Sequence, residues 1–379
     1  MPSDILFYIQ IGLGIASVVF SAVMLYLLTK SGEPIKSLTQ AENKEGPEKE
    51  RLILKSIAAA EKQLAKLKEG RDDYARAQHK YTMGIAYEML ADFNSETANI
   101  NRAIGLVKES ISLTDREKYR VDYVKRRTNL AETYKYLSGL SEKEKNLGLA
   151  IGEYKEALAA ADIKEMADRR LKLMREIAVC HMLLAQSEKD MYNVSESIRY
   201  TDMMLKEIDR TKAPVEFLTT SLMRANAFTF AATLQNKIDN LHEAQAGCDQ
   251  ALGARNEVAR ELATLTSGAQ GNVAMVKMMD VTFLRMEFIQ FHLLTSHSLV
   301  HMQLADAEDR QRHLDAAAWD INEAMKLKRL QEKPEFLTSL KKWKEQVRRM
   351  QAGETFEAIS GKDGETGISI AGLEDDFAA

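Results

Sequence analysis

Four ten-residue segments of the chain share one pattern, and each begins 47 residues after the one before it. They read YTMGIAYEML at 81–90, TNLAETYKYL at 128–137, REIAVCHMLL at 175–184 and LMRANAFTFA at 222–231. The fourth position of each segment is a small residue, and an aromatic residue or histidine follows three positions later. Self-similarity at a fixed period of this length predicts an array of structural repeats. The residues at the two positions are Gly84, Ala131, Ala178 and Ala225, followed by Tyr87, Tyr134, His181 and Phe228.

Two further small-residue positions recur and predict a second helix in each unit. The first lies 19 residues after each small residue, and the second lies seven residues beyond the first. Two antiparallel helices approach closely only where their side chains are small, and a ring one turn away fills the adjoining hole. The second-helix residues are Ala103, Ala150, Ser197 and Ala244, then Ser110, Ala157, Met204 and Ala251. A fifth copy, 73 residues after the fourth, has Ser298, His301, Ala317 and Ala324.

This pattern resembles the tetratricopeptide repeat (TPR) family, whose first helix carries L-G-x-x-Y and whose second carries A-x-x-x-F/Y-x-x-A. The clearest match is Leu130-Ala131…Tyr134, followed by Ala150…Tyr154…Ala157. The resemblance covers roughly residues 48–350 and implies an all-α solenoid of about five helical hairpins with capping helices. The usual TPR unit has about 34 residues, so we expect longer helices and loops here. HEAT-like packing, which has a similar period, remains the alternative.

The N-terminal residues predict a membrane anchor. Residues 5–29 contain no charged residue, and 14 of residues 5–28 are Leu, Ile, Val or Phe. Such a helix is long enough for a hydrocarbon core of roughly 30 Å. Basic residues follow the segment and none precedes it, so the positive-inside rule predicts a single-pass membrane protein with a cytoplasmic repeat domain. We divide the chain into a transmembrane anchor (1–29), a flexible linker (30–47), the repeat domain (48–352) and an acidic, glycine-rich, disordered tail (353–379).

Charge and composition exclude several functions. The net charge is −4, but the tail holds seven acidic residues and one lysine, which leaves +2 for residues 1–352. A near-neutral body argues against nucleic acid as a partner, because nucleic-acid binding requires a strong basic field. No nucleotide-binding or nucleophile motif occurs, so we predict neither an enzyme nor a cofactor. The two cysteines, Cys180 and Cys248, are expected to be inert thiols in the core.

The strongest chemical candidate is a group of four histidines: His292, His297, His301 and His313. His297 and His301 have the i,i+4 spacing that can ligate one metal ion. His301, however, occupies the aromatic position that Tyr87, Tyr134 and His181 occupy in other repeats. No carboxylate completes a motif such as H-E-x-x-H. We therefore predict packing at these positions and no metal site.

The resemblance implies a non-catalytic scaffold that recruits protein or peptide partners at the membrane. In the TPR family the first helices line a concave, ligand-binding face. Lys125, Lys172 and Arg175 could hold an acidic peptide or a free C-terminal carboxylate through charge-assisted bonds, although a solvated charged face is the alternative. A self-assembling, membrane-associated homo-oligomer is the second interpretation of the whole chain. By position, the face comprises Lys125, Thr128, Glu132, Lys135, Lys172, Arg175, Asn226 and Thr229.

Overall fold

Every regular element in the described part of the chain is helical. The computed structural model describes residues 33–94, 96–210, 212–268, 273–328 and 333–363, and only the backbone of 256–268, 273–285, 335 and 361–363. The chain divides into two compact units, Met1–Cys180 and His181–Ala379. Their boundary falls within one helix, Ala167–Glu188.

The first unit is built from helix pairs joined by short turns. Its helices are α1 (Glu33–Glu42), α2 (Gly46–Leu64), α3 (Asp73–Ala91), α4 (Glu96–Ser112), α5 (Arg120–Leu140), α6 (Lys143–Ala160) and the start of α7 (Ala167–Glu188). Helix α1 packs on α2, α3 on α4, and α5 on α6. A 3-10 turn, Lys164–Met166, precedes α7.

The second unit begins in α7 and continues the same plan. Its helices are α8 (Met191–Glu207), α9 (Pro214–Leu234), α10 (Lys237–Gly268), α11 (Val273–Leu304), α12 (Arg310–Ala324), α13 (Pro334–Gln351) and α14 (Phe356–Asp363). Helix α9 packs on α10, and α11 packs on α12, while α9 also contacts α8 and α11. The helical-repeat class is therefore confirmed, and the additional residues between the fourth and fifth copies lengthen α10 and α11 to 32 residues each.

The small residues lie where paired helices meet. A Cβ atom built on Gly84 in α3 would lie 2.6 Å from Cγ2 of Val107 in α4, which is too close for two carbon atoms. Only glycine therefore permits the observed approach of these helices. Tyr87 and Phe228 are half-buried. The other repeat positions are buried: Ala103, Ser110, Ala131, Tyr134, Ala150, Ala157, Ala178, His181, Ser197, Met204, Ala225, Ala244, Ala251, Ser298, His301, Ala317 and Ala324.

An asparagine that recurs every 47 residues closes the turn within three of the hairpins. The side-chain amides of Asn99, Asn146 and Asn240 donate to the main-chain carbonyl oxygens of Asn94, Ser141 and Gln235, at 2.6, 2.7 and 2.8 Å. These carbonyls lie just beyond the first helix, where no main-chain N–H group of that helix is available as a donor. Glu142, Lys189 and Asn236 have positive φ in the same turn. The 47-residue period thus extends to the turns, and the asparagines provide the signal that could have revealed it.

The predicted transmembrane fold and single-pass membrane localisation are corrected by the structure. Within the residues that it describes, every helix is too short or too polar to cross a membrane. Helix α5, for example, carries seven charged side chains in 21 residues. The segment to which the span was assigned, residues 1–29, lies outside the described residues. Membrane anchoring is not part of the function proposed below.

Helical structure also extends beyond the predicted bounds of the repeat domain. Helix α1 occupies most of the expected linker, because Pro34, Ser37, Leu38 and Ala41 are buried on one face at i, i+3, i+4 and i+7. The Ser56 hydroxyl of α2 donates to the Pro34 carbonyl at 2.7 Å. At the other end, Ile359 of α14 is buried against α12 and α13. Residues 364–379 of the expected tail lie outside the described part.

Candidate functional site

A groove of about 650 Å³ opens in the first unit beside the first helices of the hairpins. Four of the eight residues predicted to bind a partner line it: Lys125, Thr128, Glu132 and Lys172. Helix α5 supplies the first three, and α7 supplies Lys172. The other lining residues are Tyr81, Val121, Asn129, Glu165, Met166, Asp168, Arg169 and Leu173.

The charges of the groove balance. Its basic side chains are Lys125, Arg169 and Lys172, and its acidic side chains are Glu132, Glu165 and Asp168. The Lys172 Nζ atom lies 3.3 Å from Glu132 Oε1, and about half of each side chain is exposed. Exposed pairs of this kind contribute only about 0–1 kcal/mol. A partner carboxylate can therefore take the place of Glu132 beside Lys172 at low cost.

The aromatic wall of the groove is backed by a buried cation. Arg126 is 1% exposed, and its guanidinium lies 5.7 Å from the ring centroids of both Tyr74 and Tyr81. The Lys125 Nζ atom lies 5.5 Å from the Tyr81 ring. Burial lowers the pKa of Arg126, although Asp122 and the two tyrosines act against that shift. The Tyr81 ring therefore contacts two basic side chains at the wall of the groove.

A second depression of about 250 Å³ adjoins the groove and shares Asn129 and Glu132 with it. Glu88 lies here and accepts hydrogen bonds from the Asn129 amide, at 3.0 Å, and from the Thr133 hydroxyl. Burial raises the pKa of Glu88. Tyr136 also lines the depression and is 49% exposed. The two depressions form one face that carries both apolar and charged groups.

Three of the other residues predicted for partner binding are already engaged within their unit. The Lys135 Nζ atom lies 3.1 Å from Glu176 Oε2, and both side chains are mostly covered. The Thr229 hydroxyl donates to the Ala225 carbonyl at 2.9 Å. Asn226 is buried, and its Oδ1 atom accepts a hydrogen bond from the Ser296 hydroxyl at 2.9 Å. Asn226 therefore belongs to the core, because α11 packs over this part of α9.

Arg175, the last of the eight predicted residues, is half-buried and lies outside the groove. Both cysteines are buried, and burial raises the pKa of the Cys248 thiol, which keeps it protonated and unreactive.

The second unit contains a buried cluster of histidine and aspartate side chains. One nitrogen of His297, one of His301 and one oxygen of Asp320 lie within 4.8 Å of one another. The His297 Nδ1 atom is 3.0 Å from Asp320 Oδ2, and its Nε2 atom is 3.3 Å from Asp249 Oδ1. Burial alone would lower the pKa of His297, but the two aspartates raise it to about 9. Burial and the neighbouring His297 lower the pKa of His301 to about 3.

Asp320 lies on α12, 23 residues beyond His297 and outside any local motif, so no sequence pattern connects it with the histidines. Two histidines of the predicted group remain. His313 lies beside His301, with their Nδ1 atoms 2.8 Å apart, and His292 lies against aromatic rings. The His292 ring centroid lies 4.4 Å from that of Phe288 and 5.3 Å from that of Phe291. The structure therefore separates His292 from the histidine–aspartate cluster.

In hairpin after hairpin, the structure shows paired antiparallel helices that meet at small residues and repeat every 47 residues. The chain has a TPR-like helical-repeat fold. Repeats of this kind are typically non-catalytic and present extended surfaces that bind proteins.

No family model and no curated protein matches the sequence. One solved structure that is similar is a crystal structure of nearly identical TPR-like repeats from a Podospora anserina protein assigned to the kinesin light chains. Its sequence is 15% identical, the TM-score is 0.42, and the alignment covers 60% of this chain and 95% of the other.

Proposed function

We propose that this chain is a protein-interaction scaffold, and that it binds a peptide segment of its partner in the groove beside α3, α5 and α7. The observation that carries the proposal is the convergence of Lys125, Thr128, Glu132 and Lys172 on one open groove. Each comes from a first helix, and first helices line the ligand-binding face in the resembling family.

The balanced charges of the groove favour a partner segment that carries charges of both signs. An acidic side chain or a C-terminal carboxylate fits beside Lys125 and Lys172, where charge-assisted hydrogen bonds are available. A basic side chain of the partner fits beside Glu165 and Asp168. Because the net charge of the groove is near zero, complementary placement rather than long-range attraction sets the specificity.

Apolar contacts supply the remaining affinity. Val121 is 57% exposed at the edge of the groove, and Tyr81 contributes an aromatic ring to its wall. Aromatic side chains are frequent hot spots of protein interfaces. If the partner segment has an apolar residue next to its acidic residue, the apolar side chain would cover both Val121 and Tyr81.

A pull-down from the native source with the intact chain as bait tests the proposal, with captured proteins quantified by mass spectrometry. The test variant combines Lys125→Glu and Lys172→Glu, which reverses both basic charges beside Thr128. The matched control combines Lys145→Glu and Lys212→Glu, whose side chains are 63% and 84% exposed outside the groove.

We expect a partner that the intact chain and the control capture equally, and that the groove variant captures at least about tenfold less, since each lost charge-assisted bond costs about 1.5 kcal/mol or more. Equal capture by all three baits would contradict binding through the groove.

A further inference from the structure

Four buried positions of the fifth hairpin carry residues that differ from those at the same positions of the first hairpin. In the first hairpin the corresponding residues are Met83, Tyr87, Asn99 and Leu106, and in the fifth they are His297, His301, His313 and Asp320. All four of the fifth hairpin are buried, and Asp320 is 0% exposed. Polar side chains thus replace methionine and leucine in the interior, where an unpaired charge is costly.

The contact between Asp249 and His297 has an equivalent one repeat earlier in the chain. Asp202 and Arg224 occupy the positions that correspond to Asp249 and His297, and they pair at 2.7 Å. The Asp249–His297 contact therefore continues an existing ion pair between successive hairpins. Asp320 is the addition, and among the described side chains His297 is the only cationic partner in contact with it. Two carboxylates consequently share one imidazole.

The hydrogen bonds of the neighbouring histidines favour one tautomer of His301. The His313 Nε2 atom lies 3.4 Å from Glu308 Oε2, and because a carboxylate only accepts, this nitrogen donates. In neutral His313 the Nδ1 atom then accepts from His301 Nδ1, at 2.8 Å. The lone pair of His301 is left on Nε2. Metal-binding histidines are oriented in this way, by donating their second nitrogen to a fixed acceptor.

We propose that His297, through Nδ1, His301 and Asp320 bind one Zn²⁺ ion, and that Asp249 orients the His297 ring by accepting a hydrogen bond from its Nε2 atom. A divalent cation neutralises the two carboxylates, and neutral imidazoles complete a set of nitrogen and oxygen ligands that suits zinc. Ligand atoms about 2.0–2.2 Å from zinc lie roughly 3.3 Å from one another, so the cluster reaches this geometry through small side-chain rotations. The Asp249 side chain is 58% exposed and provides the route of entry.

Such an ion would join α11, which carries the two histidines, to α12, which carries Asp320, while Asp249 of α10 holds the His297 ring. All three ligands are buried. The expected effect of the ion is therefore to stabilise the fifth hairpin.

The test uses the full chain, purified without metal-affinity resin and freed of metal by a chelator. Calorimetric titration with Zn²⁺ should show one ion per chain with a submicromolar Kd, and Co²⁺ should give the visible bands of a tetrahedral site. Asp320→Asn should weaken zinc binding at least about a hundredfold, more than the loss of an outer-shell partner. His79→Gln, which changes a histidine of α3 in the first unit, should leave the affinity unchanged.

Asp249→Asn provides a second variant whose folding is not at risk, because this side chain is exposed; it should weaken binding about tenfold or more. Circular dichroism verifies that each variant is folded. Absence of saturable binding by the intact chain would overturn the proposal. Binding that neither folded aspartate variant weakens would overturn it as well, because the ion would then lie elsewhere.

Discussion

The second and fifth hairpins share one backbone plan and use it in opposite ways. In α5 and α6, Leu130 and Tyr134 fill the interior, and the charged residues Lys125 and Glu132 are exposed beside the groove. In α11 and α12, the positions equivalent to Leu130 and Tyr134 are His297 and His301, which are buried with Asp320. The small-residue positions are kept in both.

The difference shows which positions the repeat constrains. Helix spacing depends on the small residues, and any side chain of suitable volume can occupy the slots between them. The second hairpin has apolar side chains at these positions, and its Lys125 and Glu132 remain exposed to a partner. The fifth hairpin has ionisable side chains at these positions, and each of them needs a partner within the core.

The largest effect is expected from breaking the buried pair of the fifth hairpin. In the metal-free chain, Asp320→Ala should lower the free energy of unfolding by about 3–5 kcal/mol, because it leaves His297 without its buried partner. The double change His297→Met and Asp320→Leu restores the residues of the first hairpin. It should be neutral or stabilising by about 1–4 kcal/mol. Urea unfolding measures both, and a double variant less stable than the single one would contradict this reading.

A second effect concerns the pH dependence of stability near His292. Burial lowers the pKa of this histidine from 6.5 to about 4, so between these values the unfolded chain binds a proton that the folded chain does not. Its contribution is complete above pH 6.5 and is lost as the pH falls towards 4. The loss is roughly 3 kcal/mol. His292→Phe should make stability less dependent on pH in this window, and unfolding curves that remain parallel to those of the intact chain would argue against it.

Two glycines of one hairpin test the small-residue rule. Gly84→Ala places a methyl group 2.6 Å from Val107 and should destabilise the first unit by about 1–2 kcal/mol, since overpacking outweighs the gain in helix propensity. Gly105, in α4, has no heavy atom within 4 Å of the position of an added Cβ. Gly105→Ala should therefore stabilise by about 0.5–1 kcal/mol. Thermal unfolding of the two variants should shift in opposite directions, and a shared direction would refute the rule at this site.

The smallest effect is expected at the asparagines of the turns. Asn146 is buried, so Asn146→Ala leaves the Ser141 carbonyl without its donor and should cost about 1 kcal/mol. Asn240 makes the same bond at a more exposed turn, where water can replace the amide. Asn240→Ala should cost less than about half as much. Equal losses, measured by chemical denaturation, would show that burial does not determine the value of this bond.

The helical repeats could be predicted from the sequence because their signal is local and periodic. Small residues 47 apart identify helix pairs without reference to any other part of the fold. Four groove residues also followed from their place on the first helices. The burial of Asn226 could not be predicted in this way, although Asn226 occupies the same repeat position as the exposed Glu132. Helix α11 covers it, and no local pattern reports which helix packs over a given face.

The histidine–aspartate cluster could not be predicted from local patterns either, because only the packing of α11 on α12 brings Asp320 next to His297. The composition of residues 30–47 was misleading for a different reason. Glycine, proline and charge suggested a linker, whereas four buried positions at helical spacing determine the structure of α1.

The most direct test of the groove is site-specific photo-crosslinking in the native source. Thr128→benzoylphenylalanine places the crosslinker in the groove, and Gly152→benzoylphenylalanine places it on an exposed position of α6. The account predicts a discrete protein adduct at position 128 that is absent at position 152 and is lost when Lys125→Glu and Lys172→Glu are added. The same adducts at both positions, or an adduct at 128 that survives the charge reversal, would contradict it.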